Sequence, residues 1–233
     1  YSKPNLKIGV LFSGGKDSTY AAYIMQRQNY ELACLITMKS TNPDSYMFHT
    51  PAIDITSLQA QAMGIPHLIQ ETAGEKEEEL ADLRQALQQA IDEYHIDSIV
   101  TGAIFSTYQR DRIERLGDEL GLKIFSPLWH KSQEQEIKEL LQNGFSFVFS
   151  AVAADGLDSS WLNKIITKNE IDQLQRLHIK NGLNVAGAGG ETESLVLDCP
   201  LFHQKVRITQ VEIVEENNHT ARLVVKEAVL VTK

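Results

Sequence analysis

The chain has 233 residues, of which 42% are hydrophobic and 23% are charged, a composition typical of a globular protein with one large or two small domains. The net charge of -9 disfavours nucleic acid as a partner, because such binding uses clustered Lys and Arg and no such cluster appears. Apolar runs of only strand length and the lack of a signal-peptide pattern indicate a cytoplasmic protein with no membrane span. Cys34 and Cys199 form no CxxC pair, which disfavours a disulfide framework or a metal cluster.

Short apolar strands alternate with helices through the first half of the chain. The pattern predicts strands at residues 8–12, 32–38, 67–69, 98–101 and 123–125, and helices at 18–28, 55–63, 75–94 and 108–120. Because apolar strands that alternate with helices are typical of a parallel sheet, we predict a Rossmann-like α/β fold with helices on both faces of the sheet.

The pattern changes after Pro127. Residues 132–135 predict a capping box that opens a helix ending before Gly144, and residues 145–152 predict an apolar strand. A helix near 169–177 precedes a glycine cluster, and two β-rich runs, 206–214 and 221–231, predict a terminal hairpin or meander. We therefore predict two domains, residues 1–126 and a smaller α/β domain at residues 127–233.

A glycine-containing segment follows the first predicted strand: Ser13-Gly14-Gly15-Lys16-Asp17-Ser18. The two glycines let the backbone approach an anion, and the N–H groups and dipole of the following helix N-terminus favour negative charge. The segment predicts a phosphate-binding loop, although its spacing departs from the Walker pattern. A glycine turn with a surface Lys-Asp pair is the alternative.

Ligands of parallel sheets bind at the carboxyl ends of the strands. This rule places the ends of the second and fourth predicted strands beside the loop. Backbone contact with adenine is expected there, and a plain core role is the alternative. The residues concerned are Thr37, Met38, Gly102, Ala103 and Ile104.

The SGGKDS segment resembles the pyrophosphate loop of the N-type ATP pyrophosphatases, a superfamily of HUP-type Rossmann-like proteins that splits ATP between its α and β phosphates. The resemblance implies that the hydroxyl groups of Ser13 and Ser18 and the loop N–H groups hold the β and γ phosphates. It also implies that Lys16 neutralises their charge and that Asp17 helps to hold Mg²⁺.

Further motifs extend the resemblance to nearly the whole chain. They are residues 102–110 followed by Arg112 and Glu114, residues 126–129, and the glycine-glutamate signature at 187–202, together with residues 47–49, 156–158 and 161–162. With these motifs the chain resembles the diphthine–ammonia ligase family. The resemblance implies ATP-dependent amidation of diphthine on elongation factor 2, with ammonium as the amine and AMP and pyrophosphate as products. It also implies an archaeal or eukaryotic source, of which the compact size favours an archaeon.

The chemistry of this reaction suggests residue roles. Because a carboxylate is a poor acyl donor to ammonia, its oxygen must first attack the α phosphate, which forms an acyl adenylate with AMP as the leaving group. Lys16 and Mg²⁺ held by Asp17 would stabilise the pyrophosphate leaving group. Arg110 and Arg112 would orient the carboxylate or a phosphate, and an ion pair of Arg110 with Glu114 is the alternative.

Four more positions complete the predicted site. Tyr108 or Gln109 would donate hydrogen bonds to the substrate, and Glu191 and Glu193 are candidates to hold ammonium or accept its proton. The oligomeric state does not follow from the sequence.

The signature departs from the family pattern at Ala188, where relatives usually have a glutamate. Thr192 and Ser194 replace the usual Phe and Thr, and Asn163-Lys164 stands where relatives tend to have Gly-Arg. Natural drift and deliberate inactivation both explain Ala188. Two other functions stay open: a tRNA-modifying ATP pyrophosphatase, opposed by the absent CxxC and the acidic charge, and a nucleotide-binding module without catalysis, supported by Ala188 alone.

Overall fold

The computed structural model describes residues 6–40, 54–73, 76–102, 107–182 and 192–233. The chain forms two compact units. The N-terminal unit comprises Tyr1–Ser13, Asp17–His49 and Gly64–Trp129, and the C-terminal unit comprises Gly14–Lys16, Thr50–Met63 and His130–Lys233. Two segments from the first half of the sequence thus belong to the C-terminal unit. The division predicted at residue 126 stays a prediction.

A five-stranded parallel sheet forms the centre of the N-terminal unit. The strands are β1 (Lys7–Leu11), β2 (Glu31–Ser40), β3 (His67–Thr72), β4 (Ser98–Val100) and β5 (Lys123–Phe125). The helices of this unit are α1 (Lys16–Arg27), α3 (Lys76–Tyr94) and α4 (Thr107–Leu120). Helix α2 (Ile55–Met63) follows β2 in the chain and belongs to the C-terminal unit. The strand order is β3-β2-β1-β4-β5. Right-handed crossovers then place α1 on one face of the sheet and α3 and α4 on the other. The predicted Rossmann-like fold is confirmed.

An apolar cluster joins this sheet to α3 and α4. Five α3 residues recur at spacings of three and four: Leu87 belongs to the cluster, and Leu80, Leu83, Ile91 and Tyr94 pack against it. The cluster also contains residues of β2, β3 and β4, together with Leu116 of α4. The helical spacing read from the sequence therefore identifies the face of α3 that packs on the sheet.

The C-terminal unit contains a four-stranded sheet of order β7-β6-β9-β8. Its strands are β6 (Ser146–Ala153), β7 (Thr192–Asp198), β8 (Gln204–Asn217) and β9 (Thr220–Thr232), and its helices are α5 (Gln133–Gln142), α6 (Lys168–Asn181) and the 3-10 helix Ser159–Trp161. All three strand pairs are antiparallel. The predicted hairpin is β8 and β9. No strand was predicted at β7, whose short apolar run lies inside the glycine-glutamate signature.

Hydrogen bonds at the helix ends match the sequence in part. Ser132 is the N-cap of α5 and accepts a hydrogen bond from the N–H of Gln135 at 3.4 Å. The second half of the predicted capping box differs, because the Gln135 side chain donates to Glu139 one turn further on. A full capping box occurs instead at α6, between Thr167 and Glu170.

The α6 capping box changes the acidity of Glu170, which is buried. Burial by itself would raise the pKa of this carboxyl. Hydrogen bonds from the hydroxyl and N–H of Thr167, with Lys164 Nζ 3.5 Å away, outweigh the burial and lower the pKa.

In the ranges that the structure describes, no helix has the length and apolar character needed to cross a bilayer.

Candidate nucleotide-binding site

The predicted phosphate loop leads from the carboxyl end of β1 into α1. Gly14 has a φ of 82°, a left-handed conformation that glycine adopts without a Cβ clash. The N–H of Ser13 donates to Ser18 Oγ at 3.2 Å, and the two hydroxyl oxygens are also 3.2 Å apart. Hydroxyl groups therefore lie at the N-terminus of α1, where the helix dipole favours an anion.

Gly102 follows β4 and lies against the first turn of α1. A Cβ at this position would be 2.7 Å from both the carbonyl carbon of Asp17 and the nitrogen of Ser18. Only glycine fits such an approach. Since the chain places β2 on one side of β1 and β4 on the other, the carboxyl ends of β1 and β4 mark the point where ligands of this sheet type bind.

Thr37 and Met38 lie inside β2, because this strand extends to Ser40 and not to 38 as predicted. Thr37 Oγ1 donates to the carbonyl of Phe12 at 2.8 Å and lies 2.7 Å from Nε2 of His67. The hydroxyl group is thus engaged within the sheet. Contact of the Thr37 and Met38 backbone with adenine stays a prediction.

Three residues at the centre of the loop, Gly14–Lys16, belong to the C-terminal unit, and we call them the loop tip. Lys16 is 4% exposed, and its Nζ lies 3.9 Å from Oε1 of Glu136, a residue of α5 that is 1% exposed. The N–H of Lys16, at the start of α1, donates to Ser194 Oγ at 3.0 Å. A helix N–H that has no partner within its own helix is thus bound by a side chain of β7.

The carbonyl group of Gly14 accepts two hydrogen bonds. One comes from the N–H of Val196 in β7 at 3.0 Å, and the other from Nε2 of Gln59 in α2 at 3.0 Å. Gln59 Nε2 also donates to the carbonyl of Val196 at 2.8 Å. Because β7 is an edge strand whose other side pairs with β6, the loop tip occupies its remaining edge.

The predicted substrate-binding residues of α4 have neighbours of their own. Arg110 Nε lies 3.0 Å from Oε1 of Glu114, and the guanidinium carbon lies 4.6 Å from the ring centroid of Trp129. The ion pair given above as the alternative is therefore present. Arg112 is partly buried on the same helix. Substrate contacts of both arginines stay predictions.

The remaining predicted site residues are described only in part. Glu193 is exposed in β7, with its backbone paired to Ala151. Tyr108 and Gln109 lie in α4, and only their backbone is described. Ala103, Ile104, Ala188, Glu191 and residues 47–49 lie outside the described residues.

No group of three or more His, Cys, Asp or Glu side chains is arranged for a metal ion within the described part of the chain. Mg²⁺ usually takes one or two protein carboxylates together with substrate phosphates. A single carboxylate, that of Asp17, in the first turn of the helix that follows the loop fits this requirement.

Sequence reasoning missed three residues that contact the loop tip: Gln59, Glu136 and Ser194. Two of them carried a signal. Gln59 is a polar residue on the buried face of α2, beside Ala60 and Met63, and Glu136 precedes the buried Ile137. A polar residue among apolar positions of a helix indicates a specific partner, but the sequence does not tell which one.

Comparison with known proteins identifies the family. Family models described as the diphthamide synthase N-terminal domain and the diphthamide synthase C-terminal domain match residues 6–124 and 132–231. A diphthine–ammonia ligase of Danio rerio is 32% identical over 227 residues, which cover 90% of this chain and 89% of the relative. One from Schizosaccharomyces pombe is 31% identical over 229 residues, which cover 91% of this chain and 38% of that longer relative.

A solved structure, titled as a predicted subunit of tRNA methyltransferase from Methanocaldococcus jannaschii, aligns with 81% of this chain and 95% of its own. The TM-score of this alignment is 0.40 and the sequence identity is 18%. The two family models together account for most of the sequence, and the chain belongs to the diphthamide synthase family.

Proposed function

We propose that this chain amidates diphthine on elongation factor 2, using ATP and ammonium and releasing AMP and pyrophosphate. One observation carries the proposal: in a chain of the diphthamide synthase family, the SGGKDS segment joins the carboxyl end of a central parallel strand to a helix N-terminus. The diphthine–ammonia ligase of Danio rerio, which aligns along nearly all of its length, supports the reaction class.

The residues of the loop and its surroundings suit a nucleoside triphosphate. The left-handed Gly14 and the close approach of Gly102 to Asp17 keep Cβ atoms out of the loop and its surroundings. The start of α1 supplies N–H groups and a positive dipole end, and Lys16 supplies a full positive charge. We assign the phosphates to Ser13–Ser18, Mg²⁺ to Asp17, and adenine to the strand-end residues Thr37, Met38, Gly102, Ala103 and Ile104.

The proposed chemistry has two steps. A carboxylate oxygen of diphthine attacks the α phosphorus, the bond from this phosphorus to the β-phosphate oxygen breaks, and pyrophosphate leaves. Ammonia then attacks the acyl carbon, the bond to the AMP oxygen breaks, and the nitrogen loses a proton. Lys16 and the loop N–H groups stabilise the charge that develops on pyrophosphate, and Mg²⁺ would neutralise part of the same charge.

The remaining roles concern the acyl group and the amine. Arg112 orients the carboxylate, with Tyr108, Gln109 and Arg110 beside it in α4, and the glutamates of the signature, Glu191 and Glu193, hold ammonium or accept its proton. We also propose that the chain is cytoplasmic and comes from an archaeon. The two diphthine–ammonia ligases described above come from a fish and a yeast.

The test uses the whole chain with MgATP and ammonium, with and without elongation factor 2 that carries diphthine. We expect AMP to form in amounts equal to the amidated factor, with the small mass decrease that replacement of hydroxyl by amino gives. AMP without amidation would point to a different acceptor, and no AMP with either sample would overturn the proposal.

Ala188 provides a second check of the assignment. The Ala188→Glu variant restores the carboxylate that the family pattern has at this position, so we expect amidation at an equal or higher rate. A lower rate would mean that the signature of this chain works with alanine and that the family comparison misassigns the position.

A further inference from the structure

We propose that Gln59 is a positioning residue for the phosphate loop. Its buried carboxamide holds the Gly14 carbonyl against the edge of β7 and thereby sets the direction of the N–H group that follows. The inference deepens the proposed function, because it concerns the same loop, but its test measures nucleotide binding and does not require amidation.

The contacts of Gln59 are those of a double donor. The side chain is fully buried in α2, and its Nε2 donates to the carbonyls of Gly14 at 3.0 Å and Val196 at 2.8 Å. An amide nitrogen has two hydrogens, and both are used. Its Oε1 has no hydrogen-bond partner among the described residues, so the side chain acts here through donation alone.

The Gly14 carbonyl and the Gly15 N–H belong to one planar peptide unit. In a trans peptide these two groups point in opposite directions. Two hydrogen bonds hold the carbonyl toward Gln59 and Val196, so the N–H of Gly15 is directed away from them. The orientation of the Gly15 N–H, which the proposed function assigns to a phosphate, is therefore coupled to a side chain 45 positions away from Gly14.

The glycines make this coupling necessary. A peptide flanked by two glycines rotates with little steric penalty, because neither residue has a Cβ to restrict φ and ψ. The Val196 N–H alone would leave one hydrogen bond to hold the plane. Gln59 adds a second hydrogen bond from α2, a helix that packs on β8 and β9.

The test compares the affinity of the full-length chain for MgATP in variants of Gln59, by calorimetry. Gln59→Met keeps the length of the side chain and removes both donors. Gln59→Glu keeps the shape and turns an acceptor toward two carbonyls. We expect a loss of MgATP affinity of at least about tenfold in Gln59→Met and a larger loss in Gln59→Glu, because misdirected donors cost binding.

A matched control separates positioning from general destabilisation. Thr167→Ala removes the hydroxyl of the α6 capping box, which lowers stability without touching the loop tip. We expect this variant to bind MgATP as the wild type does, even at a similarly lowered melting temperature. A loss of affinity equal to that of Gln59→Met would reduce Gln59 to a structural role and overturn the inference.

The outcomes keep the two proposals apart. If the wild type binds MgATP but amidates nothing, the proposed function fails and the Gln59 comparison still decides the inference. If either folded variant binds MgATP with wild-type affinity, the inference fails whatever the reaction is. A wild type that does not bind MgATP overturns both.

Discussion

Removing the charge of Lys16 should lower the stability of the protein as well as its turnover of ATP. The Lys16 ammonium lies 3.9 Å from the Glu136 carboxylate, and the two side chains are 4% and 1% exposed. At an effective dielectric constant of ~20, two unit charges at this distance attract by ~4 kcal/mol. Desolvation of both groups offsets part of this attraction, but removal of one partner from a buried pair commonly costs ~3–5 kcal/mol.

A double-mutant cycle measures the interaction. We expect Lys16→Met to lose ~3 kcal/mol of unfolding free energy at pH 7. The double variant, which combines Lys16→Met with Glu136→Gln, should recover ~2 kcal/mol of this loss, because the second substitution removes the buried negative charge. Turnover should be lost in both variants. Recovery of stability without recovery of AMP formation would separate the structural role of the pair from the catalytic role of the lysine.

The exposed pair of Lys138 and Glu134 on the same helix is the matched control. Its atoms are 3.2 Å apart, closer than in the buried pair, but the side chains are 55% and 57% exposed. We expect a coupling below ~0.5 kcal/mol there, since water screens the charges. Denaturant unfolding gives both couplings, and a coupling between Lys16 and Glu136 no larger than that of the control would refute the reasoning.

Three further predictions concern a glycine, an acid and the two thiols. Gly14→Ala should lower the melting temperature more than Gly144→Ala. Both glycines have a left-handed φ, 82° and 79°, but a Cβ at Gly14 would crowd Oε1 of Gln59 and Cγ2 of Thr56, whereas a Cβ at Gly144 would meet no atom within 4 Å; equal losses would contradict this. Since the pKa of Glu170 is lowered, its contribution to stability is present above the unfolded pKa of ~4.3 and is lost as pH falls through the folded pKa. The melting temperature of Glu170→Gln, measured by thermal unfolding at a series of acidic pH values, should therefore fall less steeply below pH ~4.3 than that of the wild type. Burial raises the pKa of both Cys34 and Cys199 to about 12. Neither thiol should therefore react with a thiol reagent at pH 8 until denaturant is added, and rapid labelling of the native chain would contradict this burial.

The sequence by itself determined the features that rest on local chemistry. Alternating apolar strands and helices predicted the parallel sheet, and the bounds of β5 and α2 were predicted without error. The glycines and the helix start after β1 predicted the turn at Gly14 that leads into α1, and the spacing of four between Arg110 and Glu114 predicted their ion pair as one of two alternatives. Phosphate binding by this loop stays a prediction. Each of these signals depends on residues only a few positions apart.

Only the tertiary structure decided what surrounds the loop tip. Lys16 and Ser194 are 178 positions apart, and Gln59 and Val196 are 137 apart. Glu136 lies in the first turn of a helix, where acidic residues are common, and no strand was predicted at β7. Periodicity shows which face of an element is buried, but the partner of a buried polar group depends on which elements pack together, and that packing is a property of the whole chain.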